Sequence, residues 1–185
     1  MQIRVLNEND IRKVMDMKAA IEATKDALKA YSNGGADIPL RANLDISEHN
    51  GQSLYMYGYV PNENALGVKI VSVYPDNIAK NLTSVPATMV TLNSETGEVN
   101  SLIDGTYLTR LRTGAISGAA TDELANPDSK IFALFGTGGQ AETQLEAVLN
   151  VRDIKEVRVF DISKDRAKDF VNRMKEKLRN SFDFE

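Results

Sequence analysis

The feature that most constrains the fold of this chain is a glycine-rich turn between an apolar strand and a helix. The apolar run Ile131–Phe135 leads into the turn, and a helical pattern continues to about Val151. The turn fits the pattern G-x-G-x-x-G/A, whose glycines allow a close approach of the backbone to a pyrophosphate while the helix N-terminus faces the phosphate charge. We therefore predict a dinucleotide site, formed by Gly136, Gly138, Gly139, Gln140 and Ala141.

A second strand and a further helix extend this pattern. The strand Val157–Phe160 is followed by Asp161, near the spacing expected for the carboxylate that hydrogen-bonds an adenosine ribose. A carboxylate there repels a 2′-phosphate, so the sequence favours NAD over NADP. The next helix begins after the N-cap Ser163 and has on one face Ala167, Phe170, Val171, Met174 and Leu178. This order of elements predicts the start of a doubly wound parallel sheet. The alternative, a purely structural turn, leaves Asp161 without a role.

Before Pro127 the sequence predicts a different architecture. A helix with Asp16 as N-cap runs to about Ser32, and its apolar face is formed by Met17, Ile21, Leu28 and Tyr31. A mostly antiparallel sheet follows, with strands at residues 40–46, 54–60, 66–73, 88–92 and 99–103. A helix over 107–124 is expected to link a domain at 1–126 to a second domain at 127–185; its predicted buried residues are Leu108, Leu111, Ala115, Ala119 and Leu124.

Composition excludes several classes of function. The 22 basic and 26 acidic residues are interspersed and give a net charge of −4, so no basic face for nucleic acid is expected. The absence of cysteine removes disulfides, thiolate metal sites and cysteine nucleophiles. The sequence contains neither a signal-peptide pattern nor a run of roughly 20 apolar residues, so no membrane partner and a cytoplasmic location are predicted. The single histidine, His49, lies in a polar turn and is expected to be exposed.

Three motifs in the correct order resemble one enzyme family. The segment 104–118, DGTYLTRLRTGAISG, resembles the signature of the ornithine cyclodeaminase/μ-crystallin family. Residues 67–75 resemble the lysine-bearing strand of that family, and 136–141 resemble its nucleotide turn. The resemblance implies an α/β protein in which an N-terminal α+β domain, for substrate binding and dimerisation, precedes the first part of a Rossmann-type doubly wound parallel sheet.

The resemblance also implies a cationic site for a substrate carboxylate, formed by Arg41, Lys69 and Arg112. Lys69 lies in an otherwise apolar strand, where an ammonium is costly unless it serves a partner. Without the resemblance, a salt bridge or a side chain that reaches solvent explains this lysine better. Arg112 can pair bidentately with a carboxylate, and Ser84 falls where the family often has a threonine near the cofactor. Lys69 and Arg112 are therefore expected to be catalytic, and Ser84 and Arg112 to contact the cofactor.

The activity implied is NAD-dependent chemistry on a small amino or imino acid. In a cyclodeaminase this converts L-ornithine to L-proline and ammonia, whereas alanine dehydrogenases and ketimine reductases of the family carry out related hydride transfers. The residues before Met56 lack a charge that some members carry, which does not favour strict ornithine specificity. Two further expectations are a homodimer formed through the N-terminal domain and, because a nucleotide domain needs more strands, an N-terminal portion of a longer enzyme. A non-catalytic protein that binds NAD or a small ligand is the remaining alternative.

Overall fold

The computed structural model describes residues 2–178, which form two compact units. The first unit contains the residues up to Met15 together with Asp26–Thr109, and the second contains Asp16–Lys25 together with the described residues from Arg110 onward. The predicted functional boundary between residues 126 and 127 stays a prediction. The last seven residues of the predicted second domain, 179–185, lie outside the described residues.

The first unit is built on a six-stranded sheet. Its strands are β1 (Arg4–Leu6), β2 (Ala42–Ile46), β3 (Gly51–Val60), β4 (Ala65–Val73), β5 (Ala87–Leu92) and β6 (Val99–Asp104), in the spatial order β1-β6-β5-β4-β3-β2. All neighbouring strands are antiparallel except β1, which pairs in parallel with β6. The mostly antiparallel sheet is thus confirmed, and β1 is an addition that the sequence did not predict.

The two faces of this sheet differ. The face that carries Lys69 also carries Leu54 and Val71, both of which are buried. On the opposite face, Tyr55 pairs with Ile70 and Tyr57 pairs with Val68, and here Tyr57 and Ile70 remain exposed. One face therefore forms the core of the unit, while the other presents apolar area to solvent.

Two helices precede β2 in the chain. The helix α1 (Glu8–Val14) was not predicted, although Asn7 and Asp10 form a capping box that stabilises its first turn. The helix α2 (Met17–Ser32) begins as predicted, with the Asp16 carboxylate accepting a hydrogen bond from the Ala19 amide.

The predicted apolar face of α2 is only half correct. Met17 and Ile21 are buried, but Leu28 is 47% exposed and Tyr31 is 57% exposed. Periodicity identifies which side of a helix is apolar, but it does not show how far the covering residues extend.

The remaining elements follow the predicted order. They are α3 (Gly105–Leu124), β7 (Ile131–Phe135), α4 (Ala141–Val151), β8 (Glu156–Phe160) and α5 (Lys164–Leu178). The strands β7 and β8 are parallel, and the core beside them contains Leu134, Ala141, Leu145, Phe170, Met174 and Leu178. The start of a parallel α/β sheet is thus confirmed. No helix among the described residues is long and apolar enough to cross a bilayer.

The predicted core face of α3 is partly wrong. Leu111, Ala115 and Ala119 are buried as expected, but Leu108 is only half-buried and Leu124 is 84% exposed. The last turn of α3 is held through its backbone carbonyls, which the guanidinium of Arg152 binds, so the side chain of Leu124 is not needed for packing.

Candidate functional site

The glycine turn after β7 leaves open space beside its backbone. Gly136 has φ +89°, a conformation that favours glycine, and its amide donates to the Phe160 carbonyl at 2.7 Å. A Cβ atom added at Gly136, Gly138 or Gly139 would meet nothing within 4 Å. Gln140 caps α4 without a side-chain hydrogen bond, so no capping side chain occupies the helix N-terminus. This combination suits an anionic group placed against the backbone.

Asp161 joins this turn to the start of α5. Its Oδ2 atom accepts hydrogen bonds from the amide of Thr137 at 2.9 Å and from the Thr137 hydroxyl at 2.7 Å. Its Oδ1 atom accepts from the Ser163 amide at 2.9 Å and from the Arg166 guanidinium at 2.7 Å. The Asp161 side chain is only 6% exposed. The Ser163 amide, followed by the Thr137 hydroxyl and Arg166, lowers the pKa of Asp161 far below its ordinary value, so this carboxylate is charged.

The helix α3 lies directly against the first turn of α4. A Cβ atom added at Gly114 would lie 2.7 Å from the carbonyl carbon of Thr143, and the Gln144 side chain donates to the Thr113 carbonyl at 3.3 Å. Arg112 precedes this contact by two residues. It is exposed at the surface, yet partial desolvation lowers the pKa of its guanidinium. Arg112 therefore belongs to the same compact unit as the glycine turn.

The other end of α3 is fixed by charge. The Arg152 side chain, 8% exposed, donates to the carbonyls of Thr121, Asp122 and Ala125, and also to the Asp122 carboxylate at 3.0 Å. Lys25 binds the same carboxylate, and this hydrogen bond raises the pKa of Lys25 and lowers that of Asp122. Cations at a helix C-terminus also interact favourably with the helix dipole. Helices α2, α3 and α4 thus share one ion-pair network.

The predicted substrate residues of the first unit lie along neighbouring strands. Lys69 is half-buried on β4, where it pairs in register with Met56 of β3 and Met89 of β5. Arg41 is exposed and immediately precedes Ala42, whose partner on β3 is Tyr55. One position further along the same register, Arg41 lies opposite Met56, so Arg41 and Lys69 lie at the same level of the sheet on either side of β3.

Ser84 lies in the connection before β5, where its carbonyl accepts a hydrogen bond from the Tyr74 amide at 2.8 Å. Of the predicted residues, Arg41, Lys69 and Ser84 belong to the first unit. The second unit contains Arg112, Asp161 and the turn residues, namely Gly136, Gly138, Gly139, Gln140 and Ala141. His49 is exposed, as predicted.

Two residues that contact Asp161 beside the glycine turn were not predicted from the sequence. Thr137 occupies the unspecified position between the first two glycines, and Arg166 follows Asp161 by five residues, yet both hydrogen-bond to its carboxylate. A hydroxyl within the turn and an arginine in the first turn of the next helix were the available signals. Neither specifies its partner without the fold.

The first residues of the segment 104–118, which resembles the family signature, stabilise the fold. The Asp104 carboxylate caps α3 by accepting hydrogen bonds from the Thr106 amide at 2.8 Å and the Tyr107 amide at 3.1 Å. The Thr106 hydroxyl accepts from the Ala87 amide at 3.0 Å, and Gly105 lies so close to the β5 backbone that a Cβ atom there would clash. These contacts fix the start of α3 against β5.

Comparisons with known proteins agree with this geometry. A model of the ornithine cyclodeaminase/mu-crystallin family matches residues 1–182. The Δ1-pyrroline-2-carboxylate reductase of Bacillus cereus is 34% identical over 174 residues, covering 94% of this chain and 54% of that protein. The structure of Thermococcus litoralis Δ1-pyrroline-2-carboxylate reductase in complex with NADH and L-proline is 43% identical with a TM-score of 0.91, covering 95% of this chain and 54% of that one.

An archaeal alanine dehydrogenase dimer with bound NAD is 33% identical, with a TM-score of 0.88, and covers 96% of this chain and 54% of that one. The resemblance found in the sequence is therefore confirmed. The chain spans about half the length of these relatives.

Proposed function

Because this chain belongs to the ornithine cyclodeaminase/mu-crystallin family, we propose that the natural full-length protein is an NAD-dependent enzyme that reduces a small cyclic imino acid. The observation that carries this proposal is the open glycine turn with the charged Asp161 beside it, a pair of features that suits a dinucleotide. Identity to the Thermococcus reductase, 43%, exceeds identity to the alanine dehydrogenase, 33%, which favours the reductase chemistry.

The described residues fit a nicotinamide dinucleotide. In this proposal the open backbone at Gly136 and Gly138 would accept the pyrophosphate, the N-terminus of α4 would face its charge, and Asp161 would bind the adenosine ribose. The cofactor supplies the hydride, which a side chain cannot provide. The protein's own contribution is to hold the two reactants in a productive orientation.

We assign the substrate carboxylate to the cationic residues that the resemblance implies. Arg41 and Lys69 lie on either side of β3, and Arg112 is available as a bidentate partner. In the proposed reaction the imine carbon would accept the hydride and the imine nitrogen would carry the proton, so the product would be the corresponding cyclic amino acid. By binding the substrate carboxylate, these positively charged side chains would determine which carbon of the substrate faces the cofactor.

The proposal is tested with Lys69→Met in the natural full-length protein. The kcat/KM for Δ1-pyrroline-2-carboxylate is expected to fall at least about 100-fold, since a charge-assisted hydrogen bond is lost, while the Kd for NADH measured by calorimetry stays unchanged. The matched control is Lys80→Met, which removes an exposed lysine and should leave both values unchanged. Unchanged kinetics for Lys69→Met would contradict the assignment of this residue.

Amino-acid oxidation is the second candidate, because the alanine dehydrogenase similarity is only ten percentage points lower. The conversion of L-ornithine to L-proline also stays a prediction. Assays with L-alanine plus NAD, L-ornithine plus NAD, and Δ1-pyrroline-2-carboxylate plus NADH separate the three reactions. A preference for L-alanine would replace the reductase proposal with the dehydrogenase.

We further propose that the protein is a homodimer formed through the face of the six-stranded sheet that carries Tyr55 and Tyr57. Tyr57, Ile70 and Leu44 are exposed on this face, and Val68 pairs in register with Tyr57. Apolar patches of this kind commonly mark protein interfaces. Tyr57→Glu is expected to shift the sedimentation coefficient from dimer to monomer, whereas Glu63→Gln, outside this face, should not. A Tyr57→Glu protein that stays dimeric would overturn this interface.

A further inference from the structure

The carboxylate of Asp161 has no free position for a ribose hydroxyl. Thr137 supplies two donors to Oδ2, while the Ser163 amide and two nitrogens of Arg166, Nε at 3.2 Å and Nη2 at 2.7 Å, donate to Oδ1. A carboxylate offers about four lone-pair positions, so these donors saturate it. A ribose that uses Asp161 must therefore displace one of them.

Arg166 is the donor that can leave at least cost. The donors from Thr137 and Ser163 are backbone amides or a short hydroxyl fixed in the glycine turn and the start of α5. Arg166 reaches Asp161 through a long side chain that is 62% exposed, so solvent can rehydrate its guanidinium after release. The ion pair is exposed on the arginine side, which keeps its net stabilisation small.

We propose that Arg166 determines which dinucleotides this protein accepts. This inference rests on the proposed NAD function and extends it. With NADH, the ribose hydroxyls take the place of Arg166 on Oδ1. With NADPH, Arg166 stays beside Asp161 and binds the 2′-phosphate, so that its positive charge lies between two groups that would otherwise repel each other.

The chemistry of the pair supports this exchange. A lone aspartate at the end of the second strand disfavours a 2′-phosphate by repulsion, and a neighbouring arginine is the residue that accommodates one. The planar guanidinium has five N–H donors, so it can keep one contact with Asp161 while it donates to a phosphate. The protein is therefore expected to prefer NADH but to bind NADPH measurably.

The test measures the Kd of NADH and NADPH by isothermal titration calorimetry in the natural full-length protein and in Arg166→Ala. NADPH is expected to bind the variant about tenfold or more weakly, because a charge-assisted interaction is lost, while NADH binding is unchanged or tighter. Lys168→Ala is the matched control, since it removes an exposed positive charge from the same helix. Arg166→Lys should restore part of the NADPH affinity, because an ammonium keeps the charge but loses the planar fork.

Three results would overturn the inference: no measurable NADPH binding to the unmodified protein, an Arg166→Ala variant that loses NADH and NADPH affinity by the same factor, or an equal loss in Lys168→Ala. These failures leave the proposed NAD function intact as long as NADH binds the unmodified protein. If NADH does not bind the unmodified protein, the proposed function fails and this inference fails with it.

Discussion

The glycines of α3 and the glycines of the turn after β7 have opposite surroundings. At Gly114 and Gly118 of α3, an added Cβ atom would lie 2.7 Å from the Thr143 backbone and 2.6 Å from the Ile21 side chain, respectively. At Gly138 and Gly139 of the turn, it would meet nothing within 4 Å. The same residue type is thus required by protein contacts in one place and is surrounded by open space in the other.

The difference separates packing from ligand binding. Glycine in the middle of a helix costs about 1 kcal/mol relative to alanine, and in α3 the close contact with α4 offsets this cost. No such contact explains the turn glycines, so the space beside them is the part of the structure that a pyrophosphate would fill. Substitutions should therefore change stability in α3 and cofactor affinity in the turn.

The largest effect is expected for Gly114→Val. Its side chain would overlap the backbone of Thr143, and overpacking of this kind lowers the free energy of unfolding by about 3 kcal/mol. Urea-induced unfolding measures this change. Gly139→Val, in open space, is the matched control and should change stability by less than about 0.5 kcal/mol. Equal destabilisation of both variants would remove the distinction between the two groups of glycines.

Arg152→Met tests whether close packing alone holds α3 in place. The variant loses the hydrogen bonds to the carbonyls at the end of α3 and leaves Asp122 with Lys25 alone, so the free energy of unfolding should fall by about 2 kcal/mol. Arg158→Met removes an exposed ion pair with Glu156, which solvent screens, and should change stability much less. If Arg152→Met and Arg158→Met unfold at the same temperature, the close packing at Gly114 and Gly118 is enough to hold α3 in place.

Gly138→Ala should change ligand binding without changing stability. Its methyl group meets no protein atom, but it would stand where the backbone approaches the pyrophosphate. The Kd for NADH is expected to rise about tenfold, equivalent to about 1.4 kcal/mol, while the urea midpoint stays constant. A lower midpoint with unaltered NADH binding would instead assign this glycine to packing.

An effect confined to acidic pH is expected at Asp161. Its folded pKa lies below the ordinary value of 3.8, so its contribution to stability is complete above that value and is lost as the pH falls through the folded pKa. Asp161→Asn should therefore flatten the dependence of stability on pH between about pH 5 and 2. Asp165→Asn, which changes a neighbouring exposed carboxylate, should retain the slope of the unmodified protein.

Local patterns predicted most of this fold. The strand, glycine turn, helix and Asp161 are encoded by short-range periodicity and spacing, and for that reason β7, α4, β8 and α5 agree with expectation. The errors at Leu28, Tyr31 and Leu124 arise because periodicity does not reveal where covering residues end. Among the residues of the candidate site, Thr137 was missed because the pairing of two parallel strands brings it to the Asp161 carboxylate. Arg166 was missed because a spacing of five residues does not specify that its side chain turns back to Asp161.

The parallel pairing of β1 with β6 has a consequence for synthesis on the ribosome. Arg4 pairs with Ser101 and Leu6 with Ile103. About a hundred residues must therefore be synthesised after β1 before its partner strand β6 is available. During that interval the hairpins β2–β3 and β3–β4 can already form, because their partners are adjacent in the chain. The N-terminal strand therefore closes this sheet last, and a fusion that restrains it should slow maturation more than it weakens the finished protein.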